Sequence, residues 1–167
     1  MAFFALHPDL VYLKEKEILD QWNFMMPQAQ GRKEKLYETA ERQVRASGIP
    51  EVVVERKEVD AFKEGQKIKK LDTQIFLCVH APGVFGSVRH FIGGRDYGNN
   101  LLVSRYLILP NRTAERLALN VFEREDLMAF NGLVHEALVE AVKEMMSEAH
   151  LDFSKMDTKS KGIVDIV

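Results

Sequence analysis

The chain has few of the features that identify a compartment or a reaction. A single cysteine occurs in 167 residues, which excludes an internal disulfide framework and suits a reducing compartment. There is no internal repeat, no low-complexity tract and no shift of composition that marks a domain boundary. For a chain of this length one domain is the default, so we predict a single α+β domain over residues 1–167.

The chain also lacks a strong charge of either sign. The 23 lysines and arginines nearly balance the 25 aspartates and glutamates, whereas a general binder of nucleic acid carries a strongly basic face. The first residues, as far as Pro8, have no basic region, and their apolar run is too short for a signal peptide or a membrane span. We therefore expect a cytoplasmic protein with no nucleic-acid partner and no membrane span.

Three strands are predicted in the middle of the chain. Residues 84–92 and 101–109 are rich in apolar and β-branched types, and residues 93–100 between them are rich in Gly, Asn and Asp. This pattern predicts a β-hairpin with a long loop. Residues 73–81 are a third strand candidate, which should end at Pro82 because proline removes a donor from the ladder.

Apolar side chains occur on both faces of this third strand. Alternation places Ile75, Leu77 and Val79 on one face and Phe76, Cys78 and His80 on the other. A sheet with one face in water would alternate apolar and polar residues more cleanly. We therefore predict a sheet that is covered on both sides, or curved so that its concave side holds a second core or a pocket.

A helical hairpin is predicted over residues 1–48. Its first helix covers residues 10–26, because apolar residues recur there at helical spacing, namely Val11, Ile18, Trp22 and Met25. Its second helix covers residues 32–47 and ends at Gly48, which can adopt the left-handed conformation of a helix cap. Residues 51–59 then alternate as an edge strand.

The remainder of the chain favours a long helix. Residues 114–123 fit either a strand or a helix, and we assign them to a strand that completes an antiparallel sheet over residues 51–123. Residues 126–150 carry a wide apolar stripe and form a helix that starts at Asp126 and packs on the sheet. Gly132 in its first turns costs about 1 kcal/mol relative to alanine, which marks close packing or a bend. Residues 151–167 are a polar tail, whose last residues can add a short strand.

The predicted fold class is therefore α+β. It comprises an N-terminal helical hairpin, a curved, meander-like antiparallel sheet of about five strands and a long C-terminal helix packed on that sheet.

Candidate ligand-binding residues cluster around the predicted hairpin. They are Arg89, His90, Arg95, Tyr97, Asn99, Cys78 and His80. Cysteine and histidine on neighbouring strands can bind zinc or form an activated nucleophile, but no second pair of ligands accompanies them. A lone cysteine in a strand is usually a small core residue, so we predict no metal and no cofactor.

The glycine-rich turn is neither a phosphate-binding loop nor a dinucleotide fingerprint, because no helix begins after it. Local turn chemistry accounts for Asn99. It does not account for Arg95 and Tyr97, which are therefore candidates to contact a ligand. His135 lies among apolar neighbours on the long helix and is better explained as a satisfied core-edge histidine than as a catalytic base.

Three functions remain open on these observations. The first is a non-catalytic module that binds a protein partner or forms a homodimer. The second is a binder of an apolar small molecule or lipid in a cavity between the sheet and the C-terminal helix. The third is an enzyme whose site lies near residues 89–100. No motif in the chain names a reaction.

Overall fold

A computed structural model describes residues 11–61, 73–82, 88–109 and 119–161. Its strands are β1 Val11–Leu13, β2 Ile18–Met26, β3 Val53–Ala61, β4 Gln74–His80, β5 Arg89–Tyr97 and β6 Asn100–Ile108. Its α-helices are α1 Lys33–Ala46 and α2 Val121–Glu148, and a short 3-10 helix covers Glu15–Glu17. In the described ranges, no helix is both long enough and apolar enough to cross a membrane.

The six strands form one mixed sheet in the order β1-β3-β4-β5-β6-β2. Strand β1 runs parallel to β3, with Val11 opposite Val59, and all other neighbours are antiparallel. The prediction of a purely antiparallel, five-stranded sheet is therefore wrong, and so is the assignment of residues 51–59 to an edge strand, because β3 lies between β1 and β4.

The sheet is curled because β1 and β2 lie at its two edges but follow each other in the chain. From Leu13 to Ile18 there are only five residue steps, which reach at most about 18 Å. The edges of a flat six-stranded sheet would lie about 24 Å apart. The short connection therefore draws the two edges towards each other.

The predicted β-hairpin is present as β5 and β6, but its loop is shorter than expected. Tyr97 pairs with Asn100, so the turn consists of Gly98 and Asn99 alone. Gly98 has a φ of +60°, the conformation that favours glycine in a tight hairpin turn. The residues from Gly93 onward pair with β6 instead of looping out. Of the predicted strand 84–92, residues 84–87 lie outside the described residues.

The predicted helix over residues 10–26 is wrong, and the helical hairpin does not form. Strands β1 and β2 occupy this stretch. A β-bulge between Ile18 and Asp20 shifts the alternation of β2 by one residue. Apolar side chains before and after the bulge consequently mimic helical spacing, although Ile18 and Trp22 lie on opposite faces of the sheet.

Helix α1 agrees with the predicted second helix. It buries Leu36, Ala40 and Val44, the stripe that its spacing predicts, and packs against α2 and β5. Gly48 follows it with a φ of +81°, as expected for a C-terminal cap.

Helix α2 begins five residues earlier than predicted. Asn120, not Asp126, caps it: the Asn120 side chain accepts from the Glu123 amide, and the Glu123 side chain accepts from the Asn120 amide. The predicted strand over residues 114–123 is therefore wrong at residues 121–123, and residues 114–118 lie outside the described residues. Gly132 is exposed with open space around it, so it does not mark close packing.

Apolar side chains lie on both faces of the sheet, and the sheet is curled, which agrees with the second of the two predicted alternatives. We call the face packed under α1 and α2 the outer face; its core joins Leu77, Val79 and Leu107 to Val134 and Leu138 of α2. The opposite, inner face has a smaller cluster at Val59, Cys78, Phe91 and Ile108. The long C-terminal helix is thus the lid of one face, and the curl itself surrounds the other.

The polar C-terminal segment runs back to the sheet. Lys161 and Gln21 exchange two backbone hydrogen bonds at the free edge of β2, and the Trp22 indole donates to the Asp157 carbonyl at 2.9 Å. The strand suggested for the last residues, 163–167, lies outside the described residues.

Candidate functional site

The inner face lines a cavity of about 680 Å³ that is open to solvent. Each of the six strands contributes to its lining: Leu13 from β1, Asn23 from β2, Val59 from β3, Phe76 from β4, Arg95 from β5 and Tyr106 from β6. Concave sites of about 300–1,000 Å³ are typical for small molecules. The curl therefore produces a cavity of the right size for such a ligand.

Aromatic rings form the base of this cavity. The Phe76 ring lies flat on Gly93, so closely that a Cβ atom on Gly93 would stand 2.5 Å from the Phe76 Cζ atom. The rings of Phe76 and Tyr106 are nearly parallel, with their centroids 6.4 Å apart. A glycine on β5 thus leaves space for an aromatic surface that extends from β4 to β6.

Polar side chains lie beside this apolar base. The register places Asn23 opposite Ser104 and Arg95 opposite Leu102 on the inner face, and all four line the cavity. Arg95 is exposed, and in the described part of the chain it makes no ion pair. The cavity therefore combines an apolar base with hydrogen-bonding groups, one arginine, Arg95, and one buried acidic residue, Asp60 of β3.

Tyr37 of α1 reaches the sheet next to the cavity. Its hydroxyl donates to the Ile75 carbonyl at 2.6 Å and accepts from the Gly94 amide at 3.1 Å. Burial raises the pKa of Tyr37 to about 12, so the phenol keeps its proton and acts as a donor and an acceptor at once.

A second polar cluster lies under α2 on the outer face. Arg105, whose side chain is 0% exposed, donates from Nη2 to the Asp20 carboxylate at 2.6 Å. It also donates from Nη1 to the Asn131 side-chain oxygen at 2.8 Å and from Nε to His135 Nδ1 at 3.2 Å. His90 Nδ1 lies 3.4 Å from Nη1. Four side chains thus surround one buried guanidinium.

These contacts fix the protonation states of both histidines. His135 accepts from Arg105 at Nδ1 and has Nε2 at 2.6 Å from the Thr158 carbonyl, so a neutral ring with its proton on Nε2 satisfies both contacts. Burial, followed by the charge of Arg105, lowers the pKa of His90 well below its usual value. Burial also lowers the pKa of His135, against the opposing contact with Thr158.

The carboxylate of Asp20 remains charged in this environment. Burial alone would raise the pKa of Asp20, but hydrogen bonds and charge from Arg105, with help from Asn131 and Ser160, lower it overall. The pair is therefore a buried ion pair with hydrogen bonds to neutral neighbours. Such an arrangement fixes how α2 sits on β2 and β6, and the side chains of Asp20, His90, Arg105 and Asn131 are all buried in it.

The structure separates the cysteine and histidine candidates. Cys78 pairs with Phe91, and His90 pairs with Val79, so Cys78 faces inward and His90 outward. Burial raises the pKa of the Cys78 thiol to about 11, which makes it a poor nucleophile. His80 is partly buried, and burial, together with the Arg89 charge, lowers its pKa. Among the described residues, no group of three or more His, Cys, Asp and Glu side chains is placed to hold a metal.

The remaining candidates do not converge either. Arg89 and Arg95 share a face of β5 but are six residues apart, which is about 20 Å along a strand. Tyr97 is 66% exposed next to the hairpin turn, and the Asn99 carbonyl accepts from the Gln30 amide. Of the seven predicted residues, Arg95 lines the large cavity.

Several residues of both sites were missed at the level of sequence. Arg105 carried a recognisable signal, because alternation puts it on the same strand face as three apolar residues, Leu101, Val103 and Leu107. A charge on such a face requires a buried partner. Asp20 and Tyr37 gave no such signal, because their contacts join positions 85 and 38 residues apart.

Comparison with known proteins does not assign the chain to a family. No protein-family model matches the chain, and no curated protein is significantly similar to it.

Proposed function

We propose that the protein binds a small organic anion with a broad apolar or aromatic body in the inner-face cavity. The observation that carries this proposal is the position of Arg95, a guanidinium without an ion pair in the described chain, beside a cavity whose base is Phe76 and Tyr106.

The apolar body of the ligand would lie on the aromatic base. Leu13, Val59 and Leu102 line the cavity around the two rings, so a planar or branched hydrocarbon would exchange water for apolar contacts. Aromatic ligands would gain further from offset contacts with the ring faces. This explains why we favour a broad body over a simple polar metabolite.

The anionic end would face Arg95. A guanidinium binds a carboxylate with two parallel hydrogen bonds, and Ser104 of β6 and Asn23 of β2 lie one and two strands further along the same wall. The cavity lies on the face opposite the C-terminal helix, because the space between sheet and helix is occupied by the outer core. The ligand site is therefore proposed within the curl, and not under the helix as the sequence suggested.

The test compares 2-naphthoate with its neutral methyl ester by calorimetry. The wild type should bind both, and Arg95→Gln should weaken the binding of naphthoate about tenfold, which corresponds to about 1.4 kcal/mol for the loss of a partly exposed guanidinium–carboxylate contact. The affinity for the neutral ester should change little in Arg95→Gln. Arg42→Gln is the matched control, because Arg42 pairs with Glu144 on the outer side of α1. Failure of the wild type to bind either probe would contradict the proposal.

Self-association is a second candidate function, supported by one observation on α2. Its large apolar side chains Val121, Phe122, Met128 and Leu133 are exposed, with Phe122 at 76%. Sedimentation of the wild type and of Phe122→Glu tests this. A dimer that Phe122→Glu dissociates without loss of helix content would support an interface, and a monomeric wild type at high concentration would exclude it.

A further inference from the structure

The ladder between β4 and β5 stops abruptly next to the cavity. The last pairs are Val79 with His90, Cys78 with Phe91 and Leu77 with Ile92. Beyond this point β4 continues to pair with β3 as far as Gln74, and β5 continues to pair with β6 as far as its turn. The sheet is therefore split at one end between β4 and β5, while each half remains intact.

Tyr37 occupies the split. In the register of the ladder, the next partners two positions on would be Ile75 and Gly94. Their facing backbone groups are instead the two hydrogen-bond partners of the Tyr37 hydroxyl, at 2.6 Å and 3.1 Å. Two bonds in series replace the single direct bond of about 2.9 Å that a closed ladder would have.

Everything that β4 and β5 contribute to the cavity lies in this split region. Gln74 and Phe76 of β4, and Gly93, Gly94 and Arg95 of β5, line the cavity, and all five lie beyond the last pair of the ladder. The separation of the two strands therefore determines the width of the cavity where it meets Phe76 and Arg95.

We propose that Tyr37 is a positioning residue that holds β4 and β5 apart and so sets the cavity width, which selects a broad ligand body over a narrow one. The inference rests on the proposed ligand-binding function and adds the shape of the ligand. The Tyr37 ring is held in place from above, since it is buried under the charged groups of Lys33 and Arg56 at 5.7 and 5.3 Å from its centroid. It acts on the ligand only through the strands.

The Tyr37 hydroxyl is the group that holds β4 and β5 apart. Without it, the Ile75 carbonyl and the Gly94 amide would each lose a partner, and unpaired backbone groups are costly. The closest substitute for each is the other, because the register of the ladder, extended by two positions, would place Ile75 and Gly94 opposite each other. Tyr37→Phe should therefore let the ladder close by at least one further pair and narrow the cavity.

The experiment measures the ratio of affinities for 2-naphthoate, a broad carboxylate, and octanoate, a narrow one. We expect Tyr37→Phe to shift this ratio at least fivefold towards octanoate. Tyr97→Phe is the matched control, because it loses a hydroxyl next to the exposed hairpin turn, and it should keep the wild-type ratio. A merely structural loss would weaken both probes alike and leave the ratio unchanged.

The same proteins are examined by nuclear magnetic resonance for a contact between the α-protons of Phe76 and Gly93, expected in Tyr37→Phe and absent in the wild type. All measurements are made in sucrose, which favours the compact state. An unchanged affinity ratio, no new contact, or a Tyr37→Phe chain that stays unfolded would each overturn the inference. If the wild type binds neither carboxylate, the proposed function itself has failed.

Discussion

Gly93 is the residue at which a side chain would change the inner face most. Its Cα lies under the Phe76 ring, and an added Cβ would stand 2.5 Å from Cζ and 2.7 Å from both Cε atoms. Because the whole edge of the ring would collide, Phe76 would have to leave its position. The absence of one methyl group thus maintains the aromatic base of the cavity.

We therefore expect Gly93→Ala to destabilise the protein by about 1–3 kcal/mol, the usual cost of overpacking. Gly132→Ala is the control with the opposite sign: it lies in α2 with open space around it, so alanine should stabilise by about 0.5–1 kcal/mol. Urea denaturation measures both. If Gly93→Ala/Phe76→Ala is no better tolerated than the two single changes added together, the collision is not the cause.

At the scale of elements, the sequence identified those whose pattern is local and unbroken. Helix α1 with its stripe ending in Val44, the strand β4 and the β5–β6 hairpin each follow from periodicity and turn residues. Strands β1 and β2 could not be recognised, because the bulge at Ile18 and Asp20 hides the alternation and the Glu15–Glu17 turn consists of good helix formers.

The candidate sites were less predictable than the elements for a physical reason. Whether Cys78 and His90 can meet depends on register, and a shift of one residue puts the side chains on opposite faces. The sequence limits β4 and β5 to neighbouring strands but does not fix that register. Arg95 was recognised because it stands in a run of turn-forming residues, whereas Tyr37 reaches β4 and β5 beside the cavity only through tertiary packing.

The start of α2 gives a prediction at the same scale. Asn120 and Glu123 form a reciprocal capping box, so Asn120→Ala should lower the free energy of unfolding by about 1 kcal/mol. Asp126→Ala should have little effect, because Asp126 is an exposed residue inside the helix. Thermal denaturation of both variants distinguishes them. A larger loss for Asp126→Ala would restore the boundary that the sequence suggested.

At the scale of the whole molecule, the Arg105 cluster joins side chains from three strands and from helix α2. It links β2 through Asp20, β5 through His90, β6 through Arg105 itself, and α2 through Asn131. His135 extends it to the C-terminal segment at Thr158. Removing one partner of a buried ion pair leaves the other charge uncompensated, so these elements depend on each other.

This cluster makes the stability of the whole molecule sensitive to mild acid. Burial, followed by the charge of Arg105, lowers the pKa of His90 well below 6.5. Burial also lowers the pKa of His135. The unfolded chain therefore binds protons first as the pH falls through about 6.5, and this binding stabilises the unfolded state relative to the folded one. The stabilising contribution is complete above that pH and is lost below it.

We expect the free energy of unfolding to fall between pH 7.5 and pH 5.5, by up to about 1.4 kcal/mol per pH unit from His90 once the pH is below 6.5. His90→Gln keeps an acceptor for Arg105 but cannot titrate, so it should flatten this slope even if the variant is less stable at pH 7.5. His80→Gln should flatten it much less, because His80 is only partly buried beside Glu55.

Urea denaturation at several pH values measures the slopes. A wild-type stability that stays constant over this range would mean that the two imidazoles accept protons without disturbing Arg105, and that the cluster does not hold the elements together as its geometry implies.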